Sequence, residues 1–157
     1  MNLQSTVNHF ENYLRVEIES KRCALLCIET QERAIEARDA DAFQESVSAA
    51  QELCVSDERN AVRRKKLMSE MANHWGIPVA TMTLGGIARR LGAQGKGVEL
   101  LRLKLRTAVA EVVKRNRRLA ALIGMHRRIN ADVMQIVLGC DSHEAVNNGG
   151  SLINAEA

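Results

Sequence analysis

Apolar residues recur at alternating steps of three and four from Val98 to Val137, and this spacing predicts one long amphipathic helix. The positions are Val98, Leu101, Leu105, Ala108, Val112, Arg115, Leu119, Leu122, His126, Ile129, Val133 and Ile136, of which only Arg115 and His126 are polar. A second, partial series lies beside the first and comprises Leu100, Val109, Val113, Ile123 and Val137. The apolar face is therefore wider than a two-helix seam, and we expect it to contact two neighbours. At about 1.5 Å per residue the helix would be roughly 60 Å long, which predicts an elongated molecule.

Two further long helices are predicted ahead of this one. The first covers about residues 5–38, where Val7, Phe10, Leu14, Ile18, Leu25, Ile28 and Ile35 recur at helical spacing. Asp41 followed by Gln44 resembles a capping box and predicts the start of the second helix. Its series is Phe43, Val47, Ala50, Cys54, Ala61, Met68, Met71 and Trp75, interrupted by the charged residues Asp57 and Arg64. Gly76 and Pro78 predict its end, because glycine adopts the left-handed cap and proline cannot continue a helix.

A short helix is predicted between the second and third long helices. Thr83 is placed to cap it, and it would run from Leu84 to Leu91 before Gly92. The glycine-rich segment 92–97 is predicted to be flexible. The sequence thus predicts an all-α fold: an elongated antiparallel bundle of three long helices, with a short connector helix before the last. The bundle would occupy residues 1–139, and residues 140–157 would form a flexible tail.

Composition favours the same fold class and a location in the cytoplasm. Hydrophobic residues make up 46% of the chain but aromatic residues only 3%, so the core must be aliphatic, and the chain has a single proline. No segment is apolar enough for membrane insertion, and the N-terminus lacks the pattern of a signal peptide. The four cysteines are Cys23, Cys27, Cys54 and Cys140. They form no CxxC pair, and we expect reduced thiols in the core of a soluble cytoplasmic protein.

The net charge of +3 conceals a strong asymmetry along the chain. Residues 1–60 contain 6 Lys/Arg and 12 Asp/Glu, whereas residues 61–138 contain 16 Lys/Arg and 4 Asp/Glu. Two explanations follow: a nucleic-acid-binding surface, or an acidic first helix that lies against the basic last helix. We favour the second, because no aromatic residues alternate with the basic ones to stack on bases.

A helix-turn-helix-like segment at 84–98 is the alternative basis for a DNA-binding or regulatory function. Ala88, Gly92 and Val98 occupy the positions of the small residue, the turn glycine and the apolar residue of the second helix. The supposed recognition helix would however begin with Gly95, Lys96 and Gly97 and continue into the long amphipathic helix. We therefore expect no specific binding to nucleic acid.

No catalytic, cofactor-binding or metal-binding constellation is found, and the protein is not expected to be an enzyme. The segment GAQGKG at 92–97 lacks the spacing and the preceding strand of a phosphate-binding loop. His9, His74, His126 and His143 are scattered, with no partner at the spacing of a metal ligand. A helical protein with nothing to catalyse is most often a binding protein.

Three stretches resemble the FlgN family of flagellar type III export chaperones. ERAIEARDADAF at 32–43 is similar to the family's pattern before the second helix, and MTLGGIARRL at 82–91 is similar to its connector before the last helix. In the last helix, Leu101, Leu105 and Val112 lead to RNRRLAAL at 115–122, which resembles the family's Asn-rich segment followed by leucines. Together these stretches span about residues 30–138.

The resemblance implies a cytoplasmic chaperone that binds hook-associated proteins of the hook-filament junction. It would keep them from associating prematurely and deliver them to the flagellar export apparatus. Family members bind clients through the distal last helix and the segment after it, which here is Leu119 to Val137 plus the tail. The expected client-binding residues are Leu119, Leu122, Ile123, Ile129, Val133, Ile136 and Val137. Whether the free protein forms a homodimer stays open.

Overall fold

The structure, a computed structural model, describes residues 3–138, and most of these residues are helical. Its four α-helices are α1 (Leu3–Ala37), α2 (Ala40–Trp75), α3 (Leu84–Leu91) and α4 (Lys96–Leu138), with 3₁₀ turns at Val79–Thr81 and Gly92–Gly95. The predicted all-α class is confirmed, since residues 3–138 contain no strand. The predicted tail, with Cys140 and His143, lies outside the described residues.

The turn between α1 and α2 is shorter than the sequence pattern suggested. Asp39, and not Asp41, is the N-cap of α2, and its side chain accepts a hydrogen bond of 2.9 Å from the backbone N–H of Ala42. The chain reverses within two residues because Arg38 adopts a left-handed conformation with φ 56°. Asp41 instead lies in the first turn of α2, where its carboxylate faces the positive end of the helix dipole.

Glycine ends α2 as predicted. Gly76 adopts the left-handed conformation with φ 62°, and its N–H donates to the carbonyl oxygens of Ala72 and Asn73. At the start of α3, the Thr83 hydroxyl accepts a hydrogen bond of 3.0 Å from the backbone N–H of Gly86. These caps satisfy backbone groups that a helix end leaves without an intrahelical partner.

The prediction that residues 92–97 form a flexible linker is wrong. Gly92–Gly95 is a 3₁₀ turn, and α4 begins directly after it at Lys96. Gly95 is buried, and a Cβ atom there would overlap the carbonyl oxygen of Ala88 and lie 2.9 Å from Leu91 Cβ. The glycine is needed because the backbone of the turn packs directly against α3, with no room for a side chain.

We therefore expect Gly95→Ala to lower the free energy of unfolding by about 1–3 kcal/mol, the usual cost of overpacking a rigid site. Gly97→Ala is the matched control, because its added Cβ would meet only the end of the flexible Glu11 side chain. That side chain can move, and alanine favours the helix. Urea denaturation of both variants measures the difference, and equal stabilities would contradict the packing role of Gly95.

The chain divides into two compact units, one up to Leu119 and one from Ala120 onward. The hydrophobic core of the first unit lies where the start of α1, the end of α2, α3 and the start of α4 meet. Its buried members are Val7, Phe10, Tyr13, Leu14, Leu67, Met71, Ala72, Met82, Ile87, Ala88, Leu91 and Val98, with Leu101 and Leu105 partly buried against them. The core is predominantly aliphatic, as composition predicted.

Helices α1 and α2 pack against each other in antiparallel directions along a contact line that we call the α1–α2 seam. Ser20 Oγ donates to Asp57 Oδ1 at 2.6 Å, and Lys21 Nζ pairs with Asp57 Oδ2 at 2.5 Å. Farther along α1, Gln31 Nε2 donates to the Ser46 carbonyl oxygen at 3.4 Å. A later residue of α1 thus meets an earlier residue of α2, which defines the antiparallel direction.

The charged interruptions of the α2 series belong to this seam. Burial alone would raise the pKa of Asp57, but the hydrogen bonds from Lys21 and Ser20 and the charge of Lys21 together lower it below its ordinary value. Burial and then the charge of Glu17 raise the pKa of Tyr13 to about 12, and they outweigh the charge of Arg64, which acts on Tyr13 to lower its pKa. Both interruptions therefore interact with α1.

Within the first unit, α4 runs parallel to α1. Gly97, in its first turn, faces the Glu11 side chain, whereas Arg115, farther along, pairs with Glu29 at 3.0 Å and with Glu32 at 2.6 Å. Arg118 Nε lies 3.6 Å from Glu32. The acidic first helix therefore contacts basic residues of the last helix, which is the arrangement we favoured from the charge distribution.

The second apolar series of α4 is not covered by a neighbour. Leu100, Val109 and Val113 are exposed, whereas Val98 is buried and Leu101 and Leu105 pack against the core. Within the first unit, the α4 side chains that pack against the core therefore belong to the first apolar series.

Candidate interaction surface

The part of α4 from Ala120 to Leu138, taken by itself, carries a run of exposed apolar side chains. They are Met125, Ile129, Val133, Met134, Ile136, Val137 and Leu138. Single exposed apolar residues are common on proteins, but a contiguous group of large ones usually marks an interaction surface. This segment is therefore the candidate functional site.

Helical geometry places part of this group on one face. Residues three or four apart lie on the same side of a helix, so Leu122, Ile129, Val133 and Ile136 form a line, which we call the distal stripe. Met125 lies beside the distal stripe, four residues before Ile129. The stripe has the heptad spacing with which helices recognise one another in coiled coils.

The predicted client-binding residues differ in accessibility. Ile129, Val133, Ile136 and Val137 are exposed by 48%, 49%, 79% and 73%. Leu122 and Ile123 are half-buried. Leu119 is 5% exposed and belongs to the interior of the first unit, so it is not available to a partner in this structure.

Three exposed residues were missed by the sequence pattern: Met125, Met134 and Leu138. They lie off the series that begins at Val98, and steps of three and four along that series therefore pass over them. The signal that could have found the two methionines is residue type, since methionine is flexible and polarizable and recurs on surfaces that adapt to partners.

Exposed basic residues accompany the apolar surface. Within 120–138, Arg127 and Arg128 are exposed and Asp132 is the single acidic residue. Arg127 and Arg128 directly precede Ile129, and neighbouring residues of a helix point in different directions, so both lie off the distal stripe. The surface thus combines an apolar line with positive charge next to it.

The helix-turn-helix-like segment has a structural explanation in the first unit. Ala88 and Val98 are buried in the core, and the guanidinium carbon of Arg90 lies 5.6 Å from the centre of the Trp75 ring. At this distance the cation and the ring attract each other, so the Arg90 side chain has a partner within the protein. The small and apolar residues that suggested a DNA-binding motif serve the packing of α3 against α4.

Within residues 3–138, no group of three or more His, Cys, Asp or Glu side chains is arranged to hold a metal ion. His9 and His74 are exposed and His126 is half-buried. None of the helices in that range is both long enough and apolar enough to cross a membrane. A shallow groove of about 390 Å³ beside α3 is lined by Ala88, Arg89, Gly92, Gly95, Lys96, Glu99, Leu100 and Leu103.

Comparisons with protein-family models, curated proteins and solved structures found no match to this chain.

Proposed function

We propose that the protein is a cytoplasmic export chaperone that binds an amphipathic helical segment of flagellar hook-associated proteins through the distal stripe. It would keep this segment from associating with other subunits and deliver the client to the type III export apparatus. The observation that carries the proposal is the line of exposed apolar residues at heptad spacing on α4. The resemblance of residues 30–138 to the FlgN family supplies the identity of the client.

The proposal includes the arrangement that the sequence predicts, an elongated antiparallel bundle in which α3 is the connector before the last helix. In such a molecule the last helix extends past its partners and offers its apolar face to a client. No catalytic step, cofactor or metal is part of the proposed function.

The expected partner is a helix with an apolar stripe flanked by acidic residues. An amphipathic helix can lie along another with its apolar residues inserted at every third or fourth position. Burial of one Leu, Ile or Val contributes about 1.5–3 kcal/mol, so four stripe residues offset the ordering cost of a flexible client. The positive charge of Arg127 and Arg128 favours an acidic flank and steers association.

Val133→Asp combined with Ile136→Asp tests the proposal. We expect this double variant to keep its melting temperature and to lose at least about 2 kcal/mol of client affinity, roughly a thirtyfold increase in Kd, because two apolar anchors are lost. Leu105→Asp is the core control and should lower the melting temperature strongly, since Leu105 packs against the core. Ala131→Asp combined with Gln135→Asp adds the same charge at exposed positions off the stripe.

Calorimetry with a purified hook-associated protein and thermal unfolding provide the measurements. Unchanged client binding in the stripe variant, or a loss of stability as large as that of Leu105→Asp, would contradict the proposed site. Equal loss of affinity in the off-stripe variant would show that charge alone is responsible. Light scattering measures the oligomeric state of the wild type and of the stripe variant. If the wild type is dimeric and the variant is monomeric, the distal stripe binds a second copy of this chain.

A further inference from the structure

The groove beside α3 has an apolar floor that two exposed leucines of α4 provide. Leu100 and Leu103 line it and are 56% and 46% exposed. They are three residues apart, so they lie next to each other on one side of the helix. Gly92 and Gly95 also line the groove, and a Cβ atom added at Gly92 would meet nothing within 4 Å. The groove is therefore open to apolar side chains of a partner.

Positive charge exceeds negative charge among the residues that line the groove. The Lys96 side chain forms no ion pair in the described part of the chain, and Arg89 Nε donates to the backbone oxygen of Gly85 at 3.3 Å. The carboxylate of the groove, Glu99, accepts two hydrogen bonds from Arg102, at 2.8 and 2.7 Å. The hydrogen bonding from Arg102 is the largest cause of the lowered pKa of Glu99, and the charge of Arg89 is the smallest. Arg89 and Lys96 are therefore available to carboxylates of a partner.

Basic residues continue along the exposed side of α4. Between positions 104 and 117, the exposed charged side chains are Lys104, Arg106, Glu111, Lys114 and Arg117. Four of these five are basic, and none of the four forms an ion pair in the part of the chain that the structure describes. Lys114 and Arg117 follow Leu103 by 11 and 14 residues, which are spacings that return to the same side of a helix. Negative charge on a partner would therefore complement this side of α4.

The acidic helix α1 contacts a different side of α4. The Glu11 side chain faces Gly97, and Glu32 pairs with Arg115. Leu103 lies six residues after Gly97, which places it about 120° away around the helix axis. The carboxylates of α1 that contact α4 therefore do not cover the groove.

We propose that the groove, with the basic side of α4 that continues from it, is the docking surface for an acidic amphipathic helix of a partner protein. Apolar side chains of that helix would pack on Leu100 and Leu103, and neighbouring Asp or Glu side chains would pair with Arg89 and Lys96. Helices are recognised in this way when apolar anchors recur at every third or fourth residue. The surface lies in the first unit, so the proposal does not depend on the distal stripe or on the proposed chaperone function.

The apolar floor distinguishes this partner from a nucleic acid. A phosphate backbone would pair with Arg89 and Lys96 but would gain little from Leu100 and Leu103. Proteins that hold single strands stack the bases on aromatic side chains, and no aromatic residue lines the groove. Burial of the two leucines against apolar side chains is a favourable contribution that a protein partner supplies.

A fluorescein-labelled synthetic peptide is the probe. It is about 18 residues long, with leucine at every third or fourth position and glutamate beside each leucine, so that it forms an amphipathic helix. The comparison probes are a scrambled peptide of the same composition, a peptide with lysine in place of glutamate, and a DNA duplex. Every measurement uses the full chain carrying Val133→Asp and Ile136→Asp, which removes two apolar anchors of the distal stripe. Failure of this proposal is thereby distinguished from failure of the proposed function.

Fluorescence anisotropy should show binding of the acidic helix that depends on the groove. We expect Leu100→Asn combined with Leu103→Asn to raise Kd at least about tenfold, because two apolar contacts are lost. Arg89→Glu combined with Lys96→Glu should also raise Kd at least about tenfold, because like charges then face each other.

Matched controls carry the same kinds of change at exposed positions of α2, namely Val55→Asn with Val62→Asn, and Arg63→Glu with Lys66→Glu. At physiological salt they should change Kd by less than about twofold, because none of these residues lines the groove and salt screens charges at a distance. Circular dichroism establishes that each variant is folded.

Equal weakening in the α2 controls, or a scrambled peptide that binds as tightly as the acidic helix, would overturn the proposal. So would the absence of measurable binding, tighter binding of the lysine peptide, or groove-dependent binding of the DNA duplex that exceeds that of the acidic helix. Light scattering provides a further check. A dimer that both groove variants dissociate would identify a second copy of this chain as the occupant and would contradict a partner protein.

Discussion

Leu14→Ala is expected to lower the free energy of unfolding by about 2–5 kcal/mol, whereas Leu26→Ala should change it by less than about 0.5 kcal/mol. Both leucines lie on α1, and the deleted atoms are the same. Leu14 is completely buried in the core of the first unit, while Leu26 is 62% exposed. The large effect combines the lost transfer free energy of the side chain with the cavity that it leaves behind.

Equilibrium denaturation in urea, with the slope of the transition fitted for each variant, measures this difference. The change in helix propensity is the same in Leu14→Ala and Leu26→Ala, because both replace leucine by alanine in the interior of α1. A cost at Leu26 comparable to that at Leu14 would show that the outer face of α1 is buried in solution, as it would be in an oligomer.

The periodicity of apolar residues predicted the long helices well, because burial of one helical face imposes steps of three and four. The glycine and proline after Trp75 also identified Gly76 as the end of α2. The start of α2 was placed at Asp41, since two aspartates two residues apart both fit a cap. The choice of Asp39 depends on the left-handed conformation of Arg38, which the apolar pattern does not encode.

Glycine-rich composition gave the wrong prediction at residues 92–97. Glycine is used both where a chain must be flexible and where two backbones must approach closely, and composition does not distinguish these uses. Gly95 belongs to the second class, as its contact with the Ala88 carbonyl shows. A tertiary contact of this kind has no signature in the neighbouring sequence.

The candidate surface was located only in part from the sequence, for a similar reason. One series of apolar positions, broken only at Arg115 and His126, covers both Val98, which is buried, and Ile136, which is exposed. Heptad spacing serves a bundle core and a docking surface equally, so the boundary between them depends on where neighbouring helices lie. Leu119, predicted on the surface, falls on the buried side of that boundary.

The charged residues within the apolar series counted as interruptions of the periodicity, but in the structure they make specific contacts. Asp57 and Arg64 of α2 and Arg115 of α4 each interact with a side chain of α1. An ion pair in an otherwise apolar interface contributes little net stability but penalises alternative alignments, which would leave its charges unpaired. We infer that these residues fix the register of α2 and α4 against α1.

Arg115→Ala tests the contribution of the ion pair between α4 and α1. We expect it to lower the free energy of unfolding by about 2–4 kcal/mol. This is somewhat below the full cost of breaking a buried pair, because the Arg115 side chain is 29% exposed. The loss arises because the Glu32 carboxylate, which is nearly inaccessible to water, loses its closest partner, and only Arg118 at 3.6 Å remains. Arg117→Ala, at an exposed neighbouring position, is the control and should be near neutral.

The double variant Arg115→Leu with Glu32→Leu removes both charges together and should recover most of the loss, since apolar residues of similar size replace buried ion pairs at little cost. Urea denaturation of the wild type, Arg115→Ala, Arg117→Ala and the double variant provides the comparison. If the double variant were as unstable as Arg115→Ala, the unpaired carboxylate could not be the cause, and Arg115 would stabilise the helices through packing of its aliphatic stem.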